Sequence, residues 1–195
     1  MIFLKRLFCL IGKSGAGKDT VFGELLKRTS LRPVVTYTTR PMRQGEVNGR
    51  EYYFVTDETM EKLSSENKII EKRTYHTVHG DWNYFTCDID FSISEHYAMI
   101  GTPEVVNKLL DYYDNETVVV IYLDLDNKER LLRCISRESE QTKPNYSEVC
   151  RRYLSDEEDF CESIIDSCKN LHRVDSSGTN DENVSQCIKI INSYR

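Results

Sequence analysis

The stretch from Leu7 to Thr36 constrains the fold more than any other part of the chain. Leu7 to Ile11 is apolar without alternation, as in a strand buried on both faces. It runs into Gly12-Lys13-Ser14-Gly15-Ala16-Gly17-Lys18-Asp19-Thr20. From Lys18 to Arg28 the apolar Val21, Phe22, Leu25 and Leu26 fall on one helical face. Pro33 then breaks the chain before the β-branched Val34, Val35 and Thr36, which predict a second strand. The loop has the spacing of a P-loop, Gly-x-x-x-x-Gly-Lys, with Asp19 where Ser or Thr is expected. Glycines let backbone N–H groups curl round a β-phosphate, the helix start adds positive dipole, and Lys18 can reach β/γ oxygens. A glycine-rich turn with a surface lysine is the bland reading, and the strand before and helix after favour nucleotide binding over it.

Downstream, a βα rhythm is interrupted once. Between Thr38 and about Phe91 turn residues, tyrosines and short alternating stretches predominate, which reads as an insertion. Thr56 or Asp57 caps a short helix through Leu63, and Ile69 to Lys72 and Trp82 to Cys87 read as short strands. The rhythm returns with Tyr97 to Ile100, a helix opened by Pro103, and Val118 to Leu123, the least polar run and the expected central strand. Helices follow over Asn127 to about Arg137 and, as one long piece, over Ser147 to about Lys169; a strand from Leu171 to Val174 and a closing helix with Val184, Ile188 and Ile191 complete the chain. Alternating strands and helices predict a parallel α/β sheet with helices on both faces.

Composition excludes several classes. A charged fraction of 30% with only 4 Pro argues against disorder, and the net charge of −6 disfavours binding to a nucleic acid polymer. No apolar run approaches the roughly 18 residues of a membrane span. Lys5 and Arg6 interrupt the apolar opening, which therefore does not read as a signal peptide. Seven cysteines without a C-x-x-C pair suit reduced thiols in the cytoplasm, and His76 and His79 have no partners at zinc-finger spacing.

The second chemical signal is Thr36-Tyr37-Thr38-Thr39-Arg40-Pro41-Met42-Arg43-Gln44-Gly45-Glu46-Val47-Asn48-Gly49-Arg50-Glu51-Tyr52. Guanidinium forks and a phenol suit a phosphomonoester, and a solvated charged loop is an equal alternative on charge alone. This segment resembles the acceptor-binding stretch of guanylate kinases, Ser-x-Thr-Thr-Arg-x-x-Arg-x-Gly-Glu-x-x-Gly-x-x-Tyr. The resemblance implies that Arg40, Arg43 and Tyr52 hold the GMP phosphate and that Thr36 lies near the guanine. Glu71, in Ile-Ile-Glu, is similar to the glutamate that accepts from guanine N1–H and the amino group. Tyr84 resembles a second phosphate-binding tyrosine and Thr86 the hydroxyl residue near guanine O6. Arg133 and Arg137 match the lid pattern Arg-x-x-x-Arg; Arg152, rather than Arg151, matches a further lid arginine. Asp175 to Gly178 would cover the adenine by backbone contacts. The family's Asp-x-Asp is replaced here by Ala98-Met99-Ile100-Gly101-Thr102, so no ligand role carries over from that strand, and none is transferred to Asp124 or Asp126.

The expected fold is thus a P-loop NTPase-type α/β core with a nucleoside-monophosphate lobe and a lid. The expected boundaries are core 1–35, 95–132 and 153–195, lobe 36–94 and lid 133–152. The resemblance implies ATP-dependent phosphorylation of GMP or dGMP with Mg2+. Lys18 and the lid arginines Arg133, Arg137 and Arg152 would act on the transferring phosphates, and residues 12–20 would bind ATP. Asp19 is the expected magnesium contact, with Thr20 its rival and simple helix capping the alternative. A kinase of another nucleoside monophosphate and a non-catalytic phosphopeptide-binding domain stay open as alternatives, and the sequence leaves the oligomeric state open.

Overall fold

The computed structural model describes residues 5–43, 45–77, 80–92 and 96–194. Gln44, Val78 and His79, singled out above, lie outside the described residues. In chain order the elements are β1 (Arg6–Ile11), α1 (Lys18–Arg28), β2 (Arg32–Pro33), β3 (Tyr37–Thr38), β4 (Tyr53–Phe54), α2 (Asp57–Ser65), β5 (Ile69–Thr77), β6 (Gly80–Cys87), β7 (His96–Ile100), α3 (Pro103–Tyr112), β8 (Val118–Asp124), α4 (Asn127–Ser139), α5 (Tyr146–Asp159), α6 (Glu162–Ser167), β9 (Leu171–Asp175) and α7 (Asn180–Asn192). The chain divides into two compact units, Met1–Arg32 with Glu95–Arg195, and Pro33–Ser94.

The first unit is built on a five-stranded sheet of order β2-β7-β1-β8-β9, in which β1 pairs in parallel with β7 and β8, and β8 with β9. Every residue of β1 is buried, and β8 is buried up to Asp124, because both faces are covered. Phe8, Leu10, Val119, Ile121 and Leu123 meet Val21 and Leu25 of α1 and Val184, Cys187 and Ile191 of α7 in one apolar core. By strand alternation Leu7, Cys9, Val118 and Val120 turn to the opposite face, and they too are buried. Helix starts are capped by Thr102 before Pro103, by Asp126 before α4, and by a Thr179–Glu182 capping box on α7.

The second unit carries a four-stranded sheet of order β4-β3-β6-β5. Its frame is the antiparallel hairpin β5–β6, in which Glu71 faces Thr86, Arg73 faces Tyr84 and Tyr75 faces Trp82. Phe85 is fully buried and stacks on Tyr37 at 5.2 Å, which in turn packs on Tyr53 at 4.8 Å. Thr56 caps α2 as expected.

Four expectations are corrected. The central strand is β1, with β8 beside it. Val34 to Thr36 form no strand; β2 and β3 flank them. The hairpin strands run to nine and eight residues, longer than expected. The single long helix is two, α5 and α6, separated at Phe160 and Cys161. All seven cysteines are free, and no helix among the described residues is long and apolar enough to cross a membrane.

Candidate active site

In the first unit, the loop between β1 and α1 is shaped by glycines where a side chain would not fit. Gly15 has φ +88°, and a Cβ there would lie 2.6 Å from the carbonyl oxygen of Arg130. Gly17, also at φ +88°, is the N-cap of α1, and no side chain caps the helix. The first-turn N–H groups therefore lack a side-chain acceptor, which is the condition for binding an anion at a helix start. Lys13, Ser14, Gly15, Gly17 and Lys18 are half-buried, Gly12 and Ala16 buried, and Asp19 and Thr20 exposed. The Asp19 carboxylate makes no hydrogen bond or ion pair among the described residues. Lys18 folds back over the loop, donating from Nζ to the carbonyls of Gly12 and, at 3.2 Å, Lys13. Burial pushes the Lys18 ammonium below its ordinary value, against the charges of Asp156 and Asp19, which support it.

Carboxylates of α5 already occupy part of this loop. Ser14 N–H donates to Asp156 Oδ2 at 2.7 Å, and Lys13 Nζ pairs with Glu157 Oε1 at 2.9 Å. Both acids also meet Arg130 of α4, at 3.5 Å from Asp156 Oδ2 and in closer contact with Glu157. The Arg130 guanidinium is wholly buried and lies 3.8 Å from the centre of the Tyr153 ring. Sequence reasoning missed this cluster. Lys13 and Glu157 are 144 residues apart in sequence, so only the fold brings them together.

Of the expected lid residues, Arg137 and Arg152 line one small cavity of about 150 Å³ together with Ser14, Arg130, Cys134 and Tyr153. Arg133 is not part of it; it pairs with Glu129 one turn earlier on α4. Arg152 and Arg151 share Glu148, whose carboxyl their hydrogen bonds hold down at about 2. At the same C-terminal end of the sheet strands, Ser176 ties β9 to β8 through its N–H and hydroxyl, both donating to the Asp124 carbonyl, while the Ser177 N–H donates to Asp175. The Asp126 side chain is engaged in capping α4 and Asp124 pairs with Arg173 at 3.3 Å.

In the second unit the β5–β6 register gathers the acceptor candidates on one sheet face. Glu71 is buried, with its Oε1 accepting from the Thr86 hydroxyl at 2.7 Å and its Oε2 from Arg73 Nε at 3.2 Å. A carboxylate out of water needs such partners to remain charged. Tyr84, two residues from Thr86, accepts from Arg40 Nε at 3.1 Å and packs edge-on against Tyr52 at 5.5 Å. Burial raises the Tyr52 phenol above its ordinary value, with Tyr84 adding to this and Arg40 and Arg73 opposing it.

Arg40 is only 3% exposed and is held bidentately by Glu46, at 2.7 and 3.0 Å. Glu46 also accepts from the Arg43 N–H, and these contacts keep its carboxyl below the usual range. Glu46 and Arg73 were not singled out from the sequence. The expected strand stopped at Lys72, one residue short of Arg73; with β5 running on to Thr77, Arg73 falls on the same face as Glu71. Arg43 itself lies exposed in the loop, its guanidinium without a hydrogen bond or ion pair among the described residues, and Thr36 is half-buried with its carbonyl accepting from Tyr53 N–H at 2.9 Å.

Comparison with known proteins places these features. Residues 4–83 match the family model described as guanylate kinase. A guanylate kinase of Thermus thermophilus is 47% identical over 70 residues, 36% of this chain and 32% of that protein. One of Thermobifida fusca is 49% identical over 71 residues, covering 34% of this chain and 35% of the relative. One of Clostridium tetani is 31% identical over 142 residues, 73% of this chain and 52% of the relative. The chain thus spans about a third to a half of the length of the curated relatives it matches. The solved guanylate kinase of Anaplasma phagocytophilum superposes with a TM-score of 0.62 at 18% identity, over 98% of this chain and 86% of that one. The resemblance carried by the P-loop and the Thr-Thr-Arg-x-x-Arg segment is therefore one to guanylate kinases, matched by the family model over residues 4–83 and by the fold over nearly the whole chain.

Proposed function

We propose that this chain is an ATP-dependent nucleoside monophosphate kinase that moves the γ-phosphoryl of ATP onto GMP or dGMP, giving ADP and the corresponding diphosphate. The observation that carries the reading is the buried Glu71 carboxylate, set by Thr86 and Arg73 on the same face as Tyr84. Guanine offers two adjacent N–H donors to such a carboxylate, and adenine does not offer them in that arrangement. A buried acceptor left without a donor loses its partner and costs desolvation, so adenine is rejected.

Phosphoryl transfer asks the protein for alignment and charge compensation rather than covalent chemistry. Residues 12–20 would hold the donor phosphates through backbone N–H groups, with Lys18 on the β/γ oxygens. Arg137 and Arg152 sit by Ser14 and would compensate charge on the transferring group; Arg133 would have to leave Glu129 to join them. Arg43, Tyr52 and Tyr84 would aim the acceptor phosphate, with Arg40 fixing Tyr84. The acceptor phosphate is itself the nucleophile, so no general base is needed.

A magnesium ion fits the residues present. Magnesium in a phosphate site is bound by the phosphates and waters with one or two protein carboxylates. Asp19, exposed in the first turn of α1, would supply one. When bound, the ion neutralises charge on the phosphates. An ADP-release assay across GMP, dGMP, AMP, CMP, UMP and dTMP tests the reading. Turnover with GMP and dGMP well above the rest is expected, and preference for any other acceptor would overturn it.

A further inference from the structure

A phosphomonoester dianion is best held by free guanidinium forks. Arg40 does not offer one. Its Nε donates to the Tyr84 hydroxyl at 3.1 Å, one terminal nitrogen to the Pro41 carbonyl at 2.8 Å and Glu46 at 3.0 Å, and the other to Glu46 at 2.7 Å. Arg40 therefore meets a ligand as one half of a buried, neutralised pair.

Arg73 offers what Arg40 lacks. It stands two residues after Glu71 on β5 and opposite Tyr84 on β6, so its side chain leaves the strand between the Glu71–Thr86 pair and the Tyr52–Tyr84 pair. Nε is anchored on Glu71 Oε2 at 3.2 Å, and the side chain is 31% exposed. Its two terminal nitrogens make no hydrogen bond among the described residues. Tyr52, assigned above to the acceptor phosphate, feels the Arg73 charge.

We propose that Arg73 is a further acceptor-binding residue, whose terminal guanidinium nitrogens bind the phosphate of the incoming nucleoside monophosphate while Nε stays on Glu71. The assignment rests on the acceptor-site reading above and adds a cation that the resemblance to guanylate kinases does not supply. It differs from a plain counter-ion role, in which Arg73 would only balance Glu71 and influence the base.

Guanosine, which has the base without the phosphate, separates the two roles. GMP and guanosine are titrated into the full chain, into Arg73→Ala and into Arg73→Lys, with melting curves as controls. Arg73→Ala should weaken GMP binding by about 10- to 150-fold, the range for a hydrogen bond to a charged group, and leave guanosine binding unchanged. Arg73→Lys should recover part of the loss, since it restores the charge without the fork, and it keeps a cation beside Glu71 should the alanine variant not fold. In kinetics KM for GMP should rise with KM for ATP unaltered. Equal weakening of GMP and guanosine would overturn the phosphate assignment, as would no weakening of either; both results leave the acceptor-site reading standing. An unmodified chain that binds neither ligand would overturn the acceptor-site reading and this assignment with it.

Discussion

A donor phosphate entering the loop at Ser14 has to displace a carboxylate that is already there, and Asp156→Asn tests how much that matters. The Ser14 N–H to Asp156 bond is 2.7 Å long, and the Asp156 side chain is only 16% exposed, so it is a charge-assisted bond worth about 1.5–3 kcal/mol. The amide of asparagine keeps the shape but loses the charge, and neutral hydrogen bonds are roughly half as strong. Removing about 0.8–1.5 kcal/mol of competition should tighten ADP binding by about 4- to 12-fold. Asp156→Ala removes the acceptor altogether and should tighten it further, at a cost in stability. Buried Arg130 then keeps Glu157 as its only carboxylate partner in the pair of acids. Titration calorimetry with ADP and magnesium, beside thermal melts, reads both effects. If folded Asp156→Asn bound ADP no better than the unmodified chain, Asp156 would not be competing with phosphate, and the occupied loop would have no bearing on affinity.

Other consequences follow from the same geometry. Arg43→Ala should lower kcat/KM for GMP by about 10- to 150-fold with ATP binding unchanged, as steady-state kinetics would show. Glu71→Gln should narrow the GMP/AMP ratio of kcat/KM far more than it lowers the melting temperature; a ratio left intact would remove Glu71 from base selection. Burial holds the Lys18 ammonium below its ordinary value in the free protein, and a bound phosphate raises it again. ADP binding at alkaline pH should therefore take up protons, measurable as a dependence of binding heat on the buffer's ionisation enthalpy, and affinity should fall as pH rises through the lowered value. Asp19→Asn should weaken ATP binding in magnesium and spare or improve it in chelator; equal losses in both would make Asp19 a structural residue of the helix start.

What the sequence made legible was periodic or motif-bound. The P-loop, the helix over Lys18–Arg28, the Thr56 cap and the helix start at Pro103 emerged because each depends on short-range spacing. The failures have physical causes of the same kind. Strands β1 and β8 are both buried on two faces, so hydrophobicity could not say which is central. Strand β5 runs on through Arg73, Thr74, Tyr75 and His76, which are half-buried or exposed and lack the alternation of a one-sided strand. The break between α5 and α6 carries no Gly or Pro. Phe160 and Ile164 keep helical spacing across it, and Phe160 turns out of the helix at φ −113°, ψ 30°. The acceptor face was legible only through the resemblance, because Glu71 alone reads as an exposed strand charge. Arg130 and its acids were invisible, since their pairing spans 26 and 27 residues and joins two different helices, beyond the reach of any local spacing.

These unseen pairings share a physical origin. A buried guanidinium without a counter-charge is costly, and Arg40 and Arg130 are 3% and 0% exposed. Each is therefore matched by carboxylates of the same unit, Glu46 for Arg40 and Asp156 with Glu157 for Arg130. A chain of net charge −6 with the proposed anionic substrates can hold its cations in place this way before a ligand arrives. The consequence is a division of labour among arginines. Those with buried partners fix neighbours: Arg40 the Tyr84 hydroxyl, and Arg130 the acids that reach Ser14 and Lys13. Those left partly exposed, such as Arg43, Arg73 and Arg137, are the ones that would meet phosphate in the proposed reaction. Salt distinguishes the two sets, because screening acts strongly on exposed charges and weakly on buried pairs. Raising ionic strength should therefore weaken GMP and ADP binding well before it lowers the melting temperature. A parallel fall in both would mean that the buried pairs are open to solvent and that this division does not hold.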